Sequence, residues 1–431
     1  MKERNRWNPA VGLIPPGHSF KATDTFRVPE DENDQHEQDM LNMILIIEKI
    51  KGKQFVDDLT GQVLDERLVK KARQLEMEYF KQKNVYTKVP RSEAMRRTGR
   101  QPIGVRWVDV NKGDDEEHNY RSRLVAKDFK RKGEDSIFAP TPPLEALRSI
   151  LMMAATPSIW APRWICMEGP YRMQVSFVDI SRAYFHARIE DDKPLYVELP
   201  PEDEDYGSDM CGRLNVHMYG TRPAAEGWHS EYAGSMQEFG LIIGESSACV
   251  FHNPEENFMC SVHGDDFTTV GPKSALDNFV IKLRTKYELK EAARLGAGEK
   301  DDKEGRVLNR IVRWTSEGLE YEADPRQAEK VIQELGLHDC KGVATPAVRH
   351  SMEEIRKDAP IDQSQMTNFR ALAARCNYLA ADRPECQYSA KEVCRFMSEP
   401  TKMSVEGFKR VGRYLTKDPR LVYHYPFQDG R

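Results

Sequence analysis

Eight cysteines are scattered over 431 residues without a single Cys-x-x-Cys pair. That spacing excludes a disulfide framework and a four-ligand zinc module, and it predicts reduced thiols in cytosol or nucleus. Nothing approaches the 18 or so apolar residues of a membrane span. The longest run, MLNMILII at 40–47, stops at Glu48-Lys49, and the N-terminal MKERNRWNP lacks the apolar stretch of a secretory signal. There is no internal repeat, no low-complexity tract, no Asp-Thr/Ser-Gly protease motif and no HHCC zinc motif. A global positive charge is missing too, since 64 Lys and Arg against 69 Asp and Glu leave a net charge of −5.

The sum conceals an uneven distribution. Residues 81–106 carry Lys81, Lys83, Lys88, Arg91, Arg96, Arg97, Arg100 and Arg106 against Glu93 alone. Residues 121–132 carry Arg121, Arg123, Lys127, Lys130, Arg131 and Lys132 against Asp128. Acid gathers elsewhere, at 30–39, 114–117, 190–192 and 202–205. A basic face set apart from acidic loops is the footprint of contacts to a nucleic-acid backbone. A solvated charged surface is the other reading of the same runs. With 31% charged and 39% hydrophobic residues the chain is polar but can still build a core, and its length allows two or three domains.

Periodicity predicts an α+β chain. Residues 1–64 read as a largely disordered or irregular arm. An amphipathic helix follows over 65–83, with Leu68, Ala72, Leu75 and Tyr79 on one face. Residues 104–129 read as a hairpin, 144–155 as a helix after Pro142-Pro143, and 156–172 as an irregular insertion. VSFVDISRAYFHA at 175–187 reads as a strand running into a helix, and 223–239 as a helix with Trp228, Tyr232, Met236 and Phe239 on one face. There Trp228 is read as packing rather than base stacking. CSVHGDDFTTVG at 260–271 is a tight hairpin, followed by a helix over 274–286. Residues 306–314 and 319–323 pair as a further hairpin, and helices over 325–335, 366–381 and 402–416 follow.

Two of these segments end apolar, β-rich runs in carboxylates: Asp179 in the first, Asp265 and Asp266 in the second. Either alone is a turn former or a cap. Three carboxylates delivered by neighbouring strands could hold two divalent cations, the apparatus of nucleotidyl transfer.

From about residue 65 to 425 the chain resembles the reverse transcriptase domain of copia-type LTR retrotransposon Pol polyproteins. GVRWVDVNK with YRSRLVAKDF is similar to that family's fingers hairpin, and FAPTPPLEALRSILMMAA to the block after it. FVDISRAYFHARIEDDKPLYVELPPE is similar to its first palm motif. MYGTRPAAEGWHSEY stands where "LYGLKQ" belongs, and HGDDFTTVG where "YVDD" belongs. DCKGVATP, FRALAARCNYLAADRPECQYSAKEVCRFMSEPT and GFKRVGRYL match its connecting segment, which contains no catalytic chemistry.

The resemblance implies a right-hand polymerase fold of fingers, palm and thumb, with an antiparallel palm sheet and a helical C-terminal connecting region. Residues 65–345 would hold fingers, palm and the start of the thumb. Residues 346–431 would be the helical thumb or connecting segment, ending before an RNase H domain. Asp179, Asp265 and Asp266 would be both catalytic and metal-binding, with two Mg2+ ions or Mn2+ in their place. Tyr184 would exclude a 2′-hydroxyl, the alternative being a core aromatic. Arg121, Arg123 and Arg222 would meet the incoming triphosphate, although solubility explains Arg121 and Arg123 equally well. The implied partners are an RNA or DNA template with its primer and dNTPs, without a membrane, in a cytoplasmic virus-like particle or the nucleus. Departures from the pattern stand at His263-Gly264 in place of Tyr-Val, at Thr221-Arg222-Pro223 in place of Leu-Lys-Gln, and at RVLNRIV, where a glycine is lost. An RNA-directed RNA polymerase is a second reading of Gly-Asp-Asp, and a catalytically inactive remnant that keeps the fold and nucleic-acid binding is a third.

Overall fold

The computed structural model describes residues 54–428, apart from 115, 132, 134–135 and 157–172. The arm expected over 1–64 lies outside these up to residue 53, its last part forming a turn on Asp57 closed by a Val56–Val63 bridge, and the insertion expected over 156–172 lies outside them from 157 on. The first elements in chain order are α1 (Glu66–Gln82), β1 (Tyr86–Pro90), α2 (Arg91–Thr98), β2 (Val105–Asn111), β3 (Tyr120–Ala126) and α3 (Leu144–Ala154). Next come β4 (Met173–Ile180), β5 (Tyr196–Val197), β6 (Met210–Leu214), α4 (Ala224–Glu238), β7 (Ile242–Gly244) and β8 (Ser247–Asn253). Then follow β9 (Phe258–His263), β10 (Asp266–Pro272), α5 (Lys273–Lys286), β11 (Leu289–Gly296), β12 (Glu304–Val307), β13 (Arg310–Trp314) and β14 (Gly318–Glu322). The last are α6 (Pro325–Glu334), α7 (Met352–Lys357), α8 (Gln363–Ala380), α9 (Gln387–Cys394), α10 (Lys402–Lys417) and β15 (Val422–Pro426). The α+β expectation holds, and no helix among the described residues is long and apolar enough to cross a membrane.

Contacts separate two units. One holds the described residues up to Glu76 together with Trp107–Arg123. It contains most of the two-stranded β2–β3 sheet, anchored on the buried carboxylate of Asp109. That group accepts Arg73 at 2.6 and 3.1 Å and the Ser122 hydroxyl at 2.7 Å. The Arg73 guanidinium also lies 4.9 Å from the Phe55 ring and 5.2 Å from Trp107, so its charge is paired on one side and set against aromatic faces on the other. Arg121 and Arg123 stand two residues apart, and exposed, on the opposite side of β3 from Ser122.

The other unit comprises Met77–Arg106 and Leu124–Arg431. Its centre is a six-stranded sheet in the order β11-β4-β10-β9-β8-β7, in which every pairing is antiparallel. Both faces are covered, so every residue of β4 except Asp179 is buried, the polar Gln174 and Ser176 included. On one face Val178, Ile180, Val262 and Phe267 pack against α4 and α5 through Trp228, Tyr232, Met236, Leu276, Phe279 and Leu283. On the other, Val175, Phe177 and Val270 meet Leu147, Ile150 and Leu151 of α3. Val312, Trp314, Leu319 and Tyr321 of the β12-β13-β14-β15 sheet complete that layer. A third core joins α6 to α8, α9 and α10. Two of these helices have side-chain caps: Asp324 accepts the Arg326 N–H, and Thr401 forms a capping box with Ser404.

Two expected elements take a different form. After Asp179 the chain does not enter an α-helix: Arg182 adopts φ +50°, and a 3-10 turn over Ala183–His186 follows. RVLNRIVRW is not one strand, because Leu308 and Asn309 both have positive φ, 48° and 66°. They form the two-residue loop between β12 and β13.

Candidate active site

The hairpin β9–β10 closes on a two-residue loop, Gly264-Asp265, with His263 and Asp266 as the last cross-strand pair. Gly264 has φ +66° and is the only loop residue with positive φ. A hairpin turn with a glycine at its first central position requires that pattern. The Gly264 that replaces a bulkier residue of the resembled motif therefore occupies a position suited to glycine.

Register then assembles the carboxylates. Asp266 is the cross-strand partner of Asp179 in the β10–β4 pairing, and Asp179 is in turn the partner of Lys290 in β11. One row across four strands thus carries Lys290, Asp179, Asp266 and His263 on one face of the sheet. Asp265 joins it from the turn, where its carbonyl accepts the N–H of Ile180, the residue after Asp179, at 2.9 Å. The structure therefore brings the three aspartates together at one end of the sheet.

Asp179 and Asp265 are exposed and Asp266 is half-buried. Burial, followed by the negative charges of Asp265 and Asp179, raises the Asp266 carboxyl to about 6. A cluster of carboxylates in which desolvation and like charge push one member upward is a site where a cation is favoured. Among the described residues no group of three or more His, Cys, Asp or Glu side chains is placed to hold a metal ion by itself, so there is no closed cage. The donor chemistry nevertheless fits Mg2+, which takes hard oxygen ligands and uses one or two carboxylates together with substrate phosphates.

Tyr184 lies in the 3-10 turn, half-buried, with its ring 4.9 Å from Tyr219 in an edge contact. Burial and the charge of Asp265 raise its phenol above the usual range. Arg222 lines a cavity of about 1040 Å³ with His186, Arg188 and Glu226, none of the three aspartates among the lining residues, and its backbone N–H donates to Asp128 at 3.0 Å. Asp266 and His263 instead border a cavity of about 300 Å³ with Leu308, Asn309, Arg310 and Tyr378.

The basic run over 81–106 is not set apart from acid. Lys88 reaches Asp203, Glu204 and Asp205 at 2.7–2.9 Å, Arg91 pairs with Glu198, and Lys83 pairs with Glu288. The acidic loop at 202–205 is the counter-charge of part of this run. Sequence reasoning also missed Lys290, whose place beside Asp179 is a matter of register, and the donor on α4 that reaches the turn: the Trp228 Nε1–H donates to the Gly264 carbonyl at 2.8 Å.

A family model described as "Reverse transcriptase (RNA-dependent DNA polymerase)" matches residues 84–349, more than half of the chain. The chain is 25% identical over 362 residues to the retrovirus-related Pol polyprotein from transposon TNT 1-94 of Nicotiana tabacum, covering 80% of this chain and 25% of that one. It is 23% identical over 327 residues to the corresponding polyprotein from transposon RE1 of Arabidopsis thaliana, covering 74% and 20%. The chain thus spans a quarter or less of the length of these relatives. Among solved structures, a foamy viral protease-reverse transcriptase in complex with double-stranded DNA aligns with a TM-score of 0.40 and 9% identity, over 84% of this chain and 52% of that one.

Proposed function

The chain belongs to the reverse transcriptase family of copia-type LTR retrotransposon Pol polyproteins, and from that premise we propose that it is an RNA-directed DNA polymerase adding dNTPs to a primer on an RNA or DNA template. The observation that carries the reading is the register that pairs Asp266 with Asp179 and closes the hairpin at Asp265. Asp179 and Asp265, with Asp266 beside them, would hold two Mg2+ ions, which when bound acidify a primer 3′-hydroxyl and neutralise a departing pyrophosphate. Lys290, in the same row as Asp179, would offer a mobile positive charge to a polyphosphate held at the aspartates. Tyr184, half-buried in the turn after Asp179, would exclude a 2′-hydroxyl by size. The exposed Arg121 and Arg123 serve as phosphate contacts, and Arg222 is a contact for nucleic acid at the 1040 Å³ cavity. We assign residues 65–345 to the polymerising part and 346–431 to a helical segment that supports it.

Primer extension on poly(rA) with oligo(dT), Mg2+ and either dTTP or UTP tests this. Incorporation of dTTP is expected, and the single changes Asp179→Asn and Asp265→Asn should each lower it by at least about 100-fold, as for loss of a group that holds charge in the transition state, with the melting temperature held. Incorporation of UTP instead would point to the RNA polymerase reading. A folded chain that binds the duplex but extends nothing would be an inactive remnant.

A further inference from the structure

The carbonyls of Gly264 and Asp265 are consecutive, and each accepts a hydrogen bond from outside the hairpin. The Asp265 carbonyl is held by Ile180 of β4 and the Gly264 carbonyl by Trp228 of α4. Within the hairpin the turn is closed by the His263–Asp266 pair. Gly264 and Asp265 are exposed, and a Cβ built on Gly264 would meet nothing within 4 Å. A glycine at φ +66° leaves the backbone wide rotational freedom, and an exposed carbonyl can bond water in many orientations. The Trp228 ring, by contrast, is 2% exposed and is held by edge contacts to Tyr232 and Tyr287, at 5.5 and 5.3 Å between centroids. Its N–H is a rigid donor pointing in one direction.

We propose that Trp228 is a positioning residue for the Asp265 carboxylate: by fixing the Gly264 carbonyl it sets the orientation of the turn that carries Asp265 beside Asp179. The Ile180 bond and the His263–Asp266 pair hold the turn within the plane of the sheet. The Trp228 bond, arriving from a helix on one face of the sheet, holds it from a second direction. This assignment rests on the reading of Asp265 as a metal ligand. The bond is half-buried, so removing the N–H costs stability no more than about one neutral hydrogen bond. The effect on the turn is local.

The test replaces Trp228 in the full chain by β-(3-benzothienyl)alanine, which keeps the bicyclic shape and exchanges N–H for sulfur. Trp228→Phe serves as a simpler second variant, and Tyr232→Phe as a control that removes a polar group from the same aromatic cluster without touching the turn. Amide hydrogen exchange in peptides covering 263–266 should become roughly 2- to 10-fold faster in the Trp228 variants, the range one neutral hydrogen bond supports. Peptides from 173–179 and 247–253 should be unchanged in the Trp228 variants, and 263–266 should be unchanged in the Tyr232→Phe control. Mn2+ affinity, read by electron paramagnetic resonance, should weaken by a similar factor. Unchanged exchange at the turn in the benzothienyl variant overturns the tether, and faster exchange with unaltered Mn2+ affinity overturns its positioning role. If Asp265→Asn leaves Mn2+ binding by the parent chain untouched, the polymerase reading fails and takes the positioning role with it. The exchange result separates that failure from failure of the tether itself.

Discussion

At the scale of the residue, Tyr184 has two duties to tell apart. Its ring is half-buried against the core of α4 and α5 and touches Tyr219 edge-on, while its hydroxyl lies within reach of the Asp265 charge. If the ring guards the sugar, Tyr184→Ala should relax the dTTP to UTP preference by about 1–3 kcal/mol, roughly 10- to 200-fold, the scale set by one group's fit in a pocket. The lost packing should cost about 2 kcal/mol, below the value for a fully buried aromatic. Steady-state incorporation of the two nucleotides, measured with the melting temperature, checks both, and a destabilised chain with an unchanged ratio would leave Tyr184 as packing alone. The three aspartates were legible in the sequence because each ends an apolar run and the runs occur in the order the family uses. Lys290 was not, since the residue facing Asp179 across β11 depends on a register that is broken by an irregularity between Glu291 and Ala293. Lys88 was legible as a cation but not as a paired one. Its partners lie more than a hundred residues away.

Elements were easier to locate than to orient. Helix α1 stands where periodicity places it, yet its buried stripe runs through Val69, Ala72, Met77 and Phe80, and Leu75 is exposed. Two overlapping apolar stripes were present in that segment, and packing selected one. The 3-10 turn after Asp179 was read as α-helix because its apolar spacing suits either, and only the positive φ of Arg182 separates them. The β12–β13 loop is the clearest such case. Asn309 occupies the position of the glycine lost from the resembled motif and holds φ +66°, a conformation that asparagine tolerates better than other side chains. Asn309→Gly should therefore leave stability within about 0.5 kcal/mol. Asn309→Val should cost about 1–2 kcal/mol, because a β-branched residue is poorly accommodated there. Urea midpoints of the two variants measure this, and equal midpoints would mean that the loop rearranges freely.

Over the whole molecule, the described helices of the C-terminal part are joined to the sheets through charge. Asp382, buried at the end of α8, accepts Arg310 of β13 at 2.7 and 2.9 Å, the Tyr321 hydroxyl at 2.8 Å and Arg148 of α3 at 3.2 Å. The Tyr423 hydroxyl donates to the Asp382 backbone carbonyl at 2.9 Å. Four elements from distant parts of the chain meet on one residue. Asp382→Asn keeps the size but leaves Arg310, itself buried, without its counter-charge, so a loss of about 3–5 kcal/mol is expected from equilibrium denaturation of the full chain. A loss below about 1 kcal/mol would show that water reaches the joint. The sequence showed the helices but not this joint, because its members are separated by up to 275 positions between Arg148 and Tyr423.

The Lys88 pairings have a consequence for ionic strength. A polyanion releases condensed counterions in proportion to the protein cations that newly neutralise its phosphates, and the steepness of affinity against salt counts those cations. Lys88 is already matched by three carboxylates of its own chain, and Arg91 and Lys83 each by one. None of these three adds to that count while its internal partner stays in place. Affinity for nucleic acid should therefore fall with added salt less steeply than the eight basic residues between 81 and 106 would imply if each met a phosphate.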